Sequence, residues 1–191
     1  MKKNPFRFEK ARAKLAEEKK YVELKKTYVS SYPEIKNSNT SDLWNELNKR
    51  EDLIDGVNPM ERDKLQWVSN IIRKESERIK KLGVLNIGFG SGNLEEITLK
   101  GNVNKFNWNG IDISEKSVKK LAKEYKKSSF KKGDILKLSY KDESFNCIVA
   151  LEVLEHISPK NTFTALDQIF RKLKSGGFFI ISVPLNEGLE E

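Results

Sequence analysis

Three glycines at alternate positions, directly after a short apolar run, constrain this chain more than any other feature. The β-prone run Val84–Ile87 leads into Gly88, Gly90 and Gly92. Glycine adopts backbone conformations that a Cβ forbids, and it lets a ligand lie against bare peptide. A helix that begins near Asn93 would point its unpaired N–H groups at an anionic group bound there. The pattern therefore predicts a strand, a ligand-binding loop and a helix.

Three further apolar segments each run into polar residues that suit a bound nucleoside. The first ends at Asp112, which lies 20 residues past Gly92, a spacing that suits a carboxylate on a ribose diol. The second ends at Asp134, which can accept a hydrogen bond from an exocyclic amine such as adenine N6. The third leads into Glu152 and the residues after it. Because the carboxyl ends of parallel strands share one sheet edge, these groups should line a single site.

The hydrophobic periods alternate between strand and helix after Gly83, which favours an α/β fold. We expect a Rossmann-like, doubly wound, mostly parallel sheet of about five strands with helices on both faces. The expected strands are 84–88, 107–112, 129–133, 145–151 and one after Gly176-Gly177. The expected helices are 58–83, capped by Asn58 and ended by Gly83, then 93–99, 114–126 and 162–173.

Taken together, these segments resemble the class I S-adenosylmethionine (SAM) dependent methyltransferases, over roughly Asn58 to Pro184. The G-x-G-x-G spacing is the methyltransferase form of the loop. Within that superfamily, Leu151–His156 and Phe170–Pro184 look like the ubiquinone-biosynthesis-type small-molecule O-methyltransferases. Asn58–Arg62 is similar to an upstream segment of those enzymes whose arginine touches the cofactor.

The resemblance implies SAM as the cofactor. The positions that it carries over to cofactor binding are Arg62, Gly88, Phe89, Gly90, Gly92, Asp112, Ile113, Asp134, Ile135 and Leu151. It places Gly88 and Gly90 at the methionine part, Asp112 at the ribose and Ile113 on the adenine. Asp134 and the Ile135 backbone would bind the adenine amine, and the Leu151 carbonyl would lie near the methionyl amine. Asn86 stands where the family usually has Asp, and the lost charge predicts weaker cofactor affinity.

The implied reaction transfers a methyl group to an oxygen or nitrogen of a small-molecule acceptor. His156, the only histidine, is the candidate general base, and Glu152 is the second candidate catalytic residue. Glu152, Glu155 and His156 are spaced to share one helical turn and chelate a divalent metal. The related metal sites use a further histidine that this chain lacks, so we expect no metal.

Two other functions remain open from the sequence. An NAD-type oxidoreductase shares the glycine loop and Asp112, but it has no use for Asp134 or for the Glu-His cluster. A non-catalytic SAM-binding or interaction module would explain Asn86 and the strand count, because the family's sheet normally has seven strands. The resemblance thus implies a truncated domain, or an edge strand covered by another element or subunit, such as a homodimer through that edge or the N-terminal helix.

The net charge of +8 is concentrated near the start of the chain, where residues 1–30 hold ten basic and four acidic side chains. We expect residues 1–57 to form a basic helical extension and lid, and 58–191 to form the SAM-binding domain. The extension leaves contact with nucleic acid open, although the sequence favours a solvated helix. Trp44, Met60 and Trp67 are candidates to line the lid, against a core role for each.

Cysteine usage and hydropathy set the expected compartment. The single Cys147 lies in an apolar strand pattern, which predicts a core residue and a reducing environment. No signal-like apolar region follows Met1, and the longest apolar stretch, at 178–183, has only the length of a strand. We therefore expect a cytoplasmic protein without a membrane span.

Overall fold

The computed structural model describes residues 41, 42, 45 and 59–183 of the chain. The strands are β1 (Leu82–Ile87), β2 (Phe106–Asp112), β3 (Ser129–Lys132), β4 (Phe145–Leu151) and β5 (Leu173–Ser182). The α-helices are α1 (Pro59–Arg78), α2 (Asn93–Leu99), α3 (Glu115–Glu124) and α4 (Pro159–Lys172).

The five strands form one parallel sheet in the order β3-β2-β1-β4-β5. The chain steps outward from β1 in one direction through β2 and β3, and it then returns to the other side of β1 with β4. Such a reversal opens a crevice at the carboxyl ends of the two central strands, where ligands bind in folds of this type. The predicted Rossmann-like α/β fold is confirmed.

Helices cover both faces of the sheet, and each face has its own apolar core. On one face, Val84 and Trp108 of the central strands pack in a cluster that includes Leu121 of α3. On the other face, Ile148 packs in a cluster with Ile169 of α4. All six residues of β1 are buried, as expected for a central strand that is covered on both sides.

One polar group is fully enclosed in the first of these cores. The Oε1 atom of Glu95, on α2, accepts hydrogen bonds from Asn86 Nδ2 at 2.8 Å and from Trp108 Nε1 at 3.0 Å. The second carboxyl oxygen of Glu95 is buried and has no hydrogen-bond partner among the described residues. Burial raises the pKa of the Glu95 carboxyl to about 7, because removal from water disfavours the charged form.

Two predicted boundaries around β1 and β5 are wrong. The first helix ends at Arg78, and Leu82 and Gly83 belong to β1, where they pair with Phe106 and Asn107 of β2. The apolar spacing up to Leu82 fits a helix as well as a strand, so only the pairing decides. Likewise, Gly176 and Gly177 lie within β5 and not before it.

A bulge explains the two glycines in β5. Phe145 pairs with Leu173, and the next register pair is Cys147 with Phe178, so β5 holds extra residues between them. Gly176 has a φ of 79°, and a Cβ on Gly177 would lie 2.9 Å from the carbonyl oxygen of Asn146. Only glycine fits such a turn and such a close approach between strands.

The other predicted elements agree with the structure to within three residues at either end. The helix expected at 162–173 begins earlier, at Pro159, because proline suits the first turn of a helix. The expected helix at 7–29 and the linker after it lie outside the described residues, and of the expected helix at 42–49 only Asp42 and Asn45 are described, both helical. No helix in the described part of the chain is both long and apolar enough to cross a bilayer.

The buried Glu95 predicts a stability that falls as pH rises. Its pKa is raised from 4.5 to about 7 on folding, so the folded protein holds this proton more tightly than the unfolded chain. The resulting stabilisation is complete below the unfolded pKa and is lost as pH rises through the folded one, at ~1.4 kcal/mol per unit of pKa difference.

Glu95→Gln keeps the shape of the protonated carboxyl but cannot titrate. We expect its free energy of urea unfolding to vary less between about pH 5 and 8 than that of the wild type. The exposed neighbour Glu96 supplies a matched control, because Glu96→Gln should keep the wild-type pH dependence. A Glu95→Gln variant with the full wild-type slope would show that Glu95 is not the titrating group.

Candidate functional site

A cleft of about 660 Å³, part of it open to solvent, lies at the carboxyl edge of the sheet. The described residues that line it are Ile87, Gly88, Gly90, Ile111, Asp112, Ile113, Gly133, Asp134, Ile135, Glu152, Val153 and His156. The cleft thus brings together the glycine loop and all three of the polar strand ends that the sequence singled out.

The three glycines of the loop have different surroundings. All have positive φ, at 68° for Gly88, 55° for Gly90 and 90° for Gly92. A Cβ on Gly90 would meet no atom within 4 Å, so this residue faces the open space of the cleft. A Cβ on Gly92 would lie 2.8 Å from Leu121 Cδ1, so this glycine instead lets the start of α2 pack against α3.

The carboxylate of Asp112 ties the glycine loop to the end of β2. Its Oδ2 accepts the Gly90 N–H at 2.8 Å, and its Oδ1 accepts the Ser114 N–H at 2.7 Å. Burial raises the pKa of Asp112, while these two amide hydrogen bonds act in the opposite direction. A buried carboxylate with fixed amide partners is a pre-organised acceptor for a hydroxyl or ammonium group.

A short helical turn from the N-terminal part of the chain docks beside Asp112. The Ser41 hydroxyl donates to the Ile113 carbonyl at 2.7 Å, and the Ser114 hydroxyl donates to Asn45 Oδ1 at 2.9 Å. The Lys116 N–H also donates to Asn45 Oδ1, at 3.4 Å. Asn45 therefore helps to cap α3 at the border of the cleft, a contact that no local pattern in the sequence indicates.

Two of the side chains predicted to line a lid, Met60 and Trp67, do not border the cleft. Met60 is 78% exposed and Trp67 is 63% exposed, both on α1. Neither therefore has the core role that was the alternative for it. Trp44 lies outside the described residues.

Gly133 and Asp134 turn the chain after β3 and close the cleft on that side. The Gly133 N–H donates to the Asp112 carbonyl at 3.0 Å, which holds the two strand ends together. Asp134 Oδ1 accepts the Leu136 N–H at 2.9 Å, and the Asp134 side chain stays exposed. Ile135 is buried and adds an apolar wall to the cleft.

Glu152 lies at the opposite end of the cleft in a strained conformation, with φ of 52°. Its Oε1 accepts hydrogen bonds from Lys64 Nζ at 2.8 Å and from Ser182 Oγ at 2.6 Å. Burial opposes ionisation of Glu152, but these partners outweigh it and hold the pKa of Glu152 below its ordinary value. Glu152 is therefore a charged group, held in place by α1 and by the end of β5.

His156 closes a 3-10 turn, Leu154–His156, that excludes Glu152. The single helical turn expected to carry Glu152, Glu155 and His156 is therefore not formed. The imidazole is 41% exposed, and its Nε2 lies 3.9 Å from Glu155 Oε1. Within the described ranges, no three His, Cys, Asp or Glu side chains form a group that could hold a metal ion.

Four residues assigned to the cofactor by resemblance do not line the cleft: Arg62, Phe89, Gly92 and Leu151. The Phe89 ring is buried and meets Phe130 edge-on, with ring centroids 5.2 Å apart. Leu151 packs against the same core. Arg62 is exposed on α1, and it is Lys64, two residues later, that contacts Glu152 of the cleft.

Sequence reasoning missed Lys64 and Ser182 as the supports of Glu152. Ser182 could have been found, because it ends β5 at the same sheet edge as the other site residues. Cys147 is fully buried and its pKa is raised by burial, which agrees with its predicted place in the core.

A family model described as a methyltransferase domain matches residues 85–181. The uncharacterized protein MJ0638 of Methanocaldococcus jannaschii is 31% identical over 120 residues, which are 63% of this chain and 48% of that protein. A probable S-adenosylmethionine-dependent methyltransferase of Mycolicibacterium smegmatis is 29% identical over 75 residues, 39% of this chain and 28% of the relative. The chain thus spans about half the length, or less, of these two relatives.

Solved structures share the fold. The N-methyltransferase NodS from Bradyrhizobium japonicum, in complex with S-adenosyl-L-homocysteine, superposes with a TM-score of 0.56 at 23% identity. The match covers 72% of this chain and 71% of that one.

Alanine substitutions at Gly90 and Gly92 should separate ligand binding from stability. Both positions have positive φ, so each substitution strains the backbone by about 1 kcal/mol or more. Gly90→Ala also places a methyl group in the cleft, and we expect at least a tenfold loss of affinity for S-adenosylhomocysteine, or about 1.4 kcal/mol. Gly92→Ala instead overpacks Leu121, which costs about 1–3 kcal/mol more in stability.

Isothermal titration and thermal unfolding of both variants would check this division. Gly92→Ala should have the lower Tm and bind the ligand more tightly than Gly90→Ala does. The opposite order of affinities would mean that Gly90 does not face the ligand.

Proposed function

The chain belongs to the methyltransferase domain family, with the class I SAM-dependent fold, and on that premise we propose that it methylates a small molecule. The donor is SAM, and the acceptor atom is an oxygen or a nitrogen. The observation that carries the proposal is that the glycine loop, Asp112 and Asp134 line one cleft. A nucleoside with an amino-acid tail requires groups of these kinds. NAD would need neither Asp134 nor the part of the cleft that Glu152 lines.

The residues present fit the cofactor. Gly90 leaves room for the methionine part, whereas Gly88 makes room for the side chain of Val153 at the wall of the cleft. The carboxylate of Asp112 can accept hydrogen bonds from the ribose hydroxyls. The side chains of Ile113 and Ile135 provide apolar surface for the adenine, and Asp134 can accept from its amino group. When bound, the cofactor supplies a methyl group on a sulfonium, which is a good leaving group, so the protein's main task is to position the acceptor.

We assign to the acceptor the end of the cleft that lies beyond β1. This end is formed by Glu152, Val153 and His156. His156 would take the proton that the acceptor hydroxyl or amine loses. It is exposed enough to exchange that proton with solvent. Glu152 would orient the acceptor as a fixed carboxylate, because Lys64 and Ser182 hold it in place.

A small-molecule acceptor is favoured by the sequence after β4. The segment Glu152–His156 stands where nucleobase amino-methylating enzymes carry an Asp-Pro-Pro-Tyr type motif. It resembles the ubiquinone-biosynthesis-type O-methyltransferases at this place, and we propose that subgroup as the nearest in chemistry. Whether oxygen or nitrogen receives the methyl group is decided by the acceptor itself.

The cofactor assignment is tested by Asp112→Asn, which removes the charge at nearly constant shape. A charge-assisted contact to the ribose is worth about 1.5–3 kcal/mol, so the affinity for S-adenosylhomocysteine should fall about 10- to 100-fold. Glu77→Gln, at an exposed position on α1, removes one charge away from the cleft and should leave the affinity unchanged. Isothermal titration with S-adenosylhomocysteine and with NAD measures both. Tighter binding of NAD, or full affinity in Asp112→Asn, would contradict the proposal.

The role of His156 is tested by His156→Gln with isotope-labelled SAM and a small-molecule extract, analysed by mass spectrometry. Loss of a general base should slow methyl transfer about 10²- to 10⁴-fold near neutral pH, while the affinity for S-adenosylhomocysteine stays constant. The deficit should shrink at higher pH, where the acceptor loses its proton to solvent. An unchanged rate would remove His156 from the mechanism. The absence of any methylated product with the wild-type protein would favour a non-catalytic SAM-binding module.

A further inference from the structure

We propose that the lysines of α3, of the turn after it and of β3 form a docking surface for the phosphate backbone of a nucleic acid. This surface, the lysine edge, consists of Lys116, Lys119, Lys120, Lys123, Lys126, Lys127, Lys131 and Lys132. It is separate from the methyl-acceptor end of the cleft, and the inference goes beyond the proposed function.

The charge at the lysine edge is highly segregated. Residues 116–132 contain eight lysines and a single acidic residue, Glu124. All eight lysines are exposed. Outside the N-terminal 30 residues and this stretch, the chain holds 18 basic and 23 acidic side chains, so the remainder of the chain is slightly acidic. Residues 31–191 together hold 26 basic and 24 acidic side chains, and this near balance hides one strongly positive surface.

The fold arranges these lysines as a continuous row. Lys116, Lys119, Lys120 and Lys123 recur at steps of three and four residues, on the side of α3 opposite the buried Leu121. The ten residues of α3 span about 15 Å. The helix packs against β3, which is an edge strand of the sheet. The lysines of the turn and of β3 extend the row beyond the end of the helix.

In the described part of the chain, Glu115 is the carboxylate that pairs with this row. Lys119 pairs with Glu115 at 2.6 Å, an exposed contact of the kind that contributes little to stability. Lys120 and Lys127 donate to neutral oxygens, the Ser91 carbonyl and Asn104 Oδ1. Among the described carboxylates, none forms an ion pair with Lys123, Lys126 or Lys131, and Lys132 interacts electrostatically with Glu115 without a close ion pair. Such like charges repel one another, and a polyanion would relieve that repulsion.

The chemistry of the lysine edge favours nucleic acid over a membrane or a folded partner. The exposed large apolar side chains of the described residues are Met60, Trp67, Ile181 and Val183, and none lies in this segment. Membrane-surface helices combine basic with apolar faces, and protein interfaces need an apolar or aromatic centre. A row of lysines alone suits repeating phosphates, which it would bind without reading the base sequence.

The position of the row keeps it apart from the acceptor. Lys132 ends β3 next to Gly133 of the cleft, and Lys120 contacts the glycine loop at Ser91. Glu152 and His156 follow β4, with β2 and β1 lying between β3 and β4. A nucleic acid on the lysine edge would therefore run along the cofactor side of the domain and leave the acceptor end free.

Charge reversal at matched positions tests this inference in the full chain. Lys123→Glu/Lys126→Glu/Lys132→Glu alters the lysine edge, and Lys74→Glu/Lys80→Glu/Lys141→Glu makes the same change in net charge at exposed lysines elsewhere. Binding of labelled single-stranded RNA and of duplex DNA, each about 20 nucleotides long, is followed by fluorescence anisotropy from about 50 to 200 mM salt.

We expect the lysine-edge variant to bind at least about tenfold more weakly than the wild type, and the matched variant to lose less than about threefold. The slope of log affinity against log salt for RNA should fall by about two in the lysine-edge variant, since each lost phosphate contact removes ~0.7. Thermal unfolding and S-adenosylhomocysteine titration verify the fold. Should charge reversal disturb it, Lys→Gln at the same positions makes the same test.

Three results would overturn the proposal: no binding by the wild type at low salt, equal losses in the two triple variants, or binding to phosphatidylserine vesicles but to neither nucleic acid. Equal losses would assign the binding to overall charge, including that of the N-terminal residues. None of these readouts depends on methyl transfer, so a failure of the proposed function leaves this test intact.

Discussion

The Asp112 carboxylate accepts hydrogen bonds from two backbone amides, and these two bonds hold the cleft together. One carboxyl oxygen fixes the glycine loop through Gly90, and the other fixes the start of α3 through Ser114. Ser114 in turn carries Asn45 from the N-terminal part of the chain. The glycine loop, α3 and Asn45 are thus all connected, directly or through Ser114, to one buried carboxylate at the end of β2. The same carboxylate is the group proposed to bind the ribose, so the cofactor would meet a site that is already assembled.

The environment of Asn86 explains a departure from the family pattern. The resemblance predicts an acidic residue at position 86, and it predicts a weaker affinity for the cofactor when that residue is Asn. In the structure Asn86 faces the core and donates to Glu95, whose carboxyl is enclosed with it. An aspartate at position 86 would set two carboxyl groups against each other without water, which is costly. Asn86 and Glu95 are therefore a compatible pair, and restoring the acid at position 86 alone would strain the core.

Local signals predicted the elements that have local causes. The helix at 93–99 and the strand at 145–151 agree residue for residue, because a glycine loop precedes the first and turn residues bound the second. The rule that ligands bind at the carboxyl edge of a parallel sheet likewise predicts that Asp112 and Glu152 share one cleft. The features that the sequence did not predict depend on pairing between distant segments. They are the place of Leu82 in β1, the bulge at Gly176 and the contact of Lys64 with Glu152. No window of sequence contains both partners of such contacts.

The order of strands also divides the carboxyl edge into two chemically different regions. On the side of β2 and β3 the cleft is bordered by Asp112 and Asp134, and the lysine edge lies just outside it. On the side of β4 and β5 the charged group is Glu152, neutralised by Lys64. We propose that phosphates bind at the lysine edge, outside the two carboxylates, and not at the second region. Because β1 lies between the two regions, the acceptor end proposed for one region can vary without changing the cofactor and polyanion sites proposed for the other.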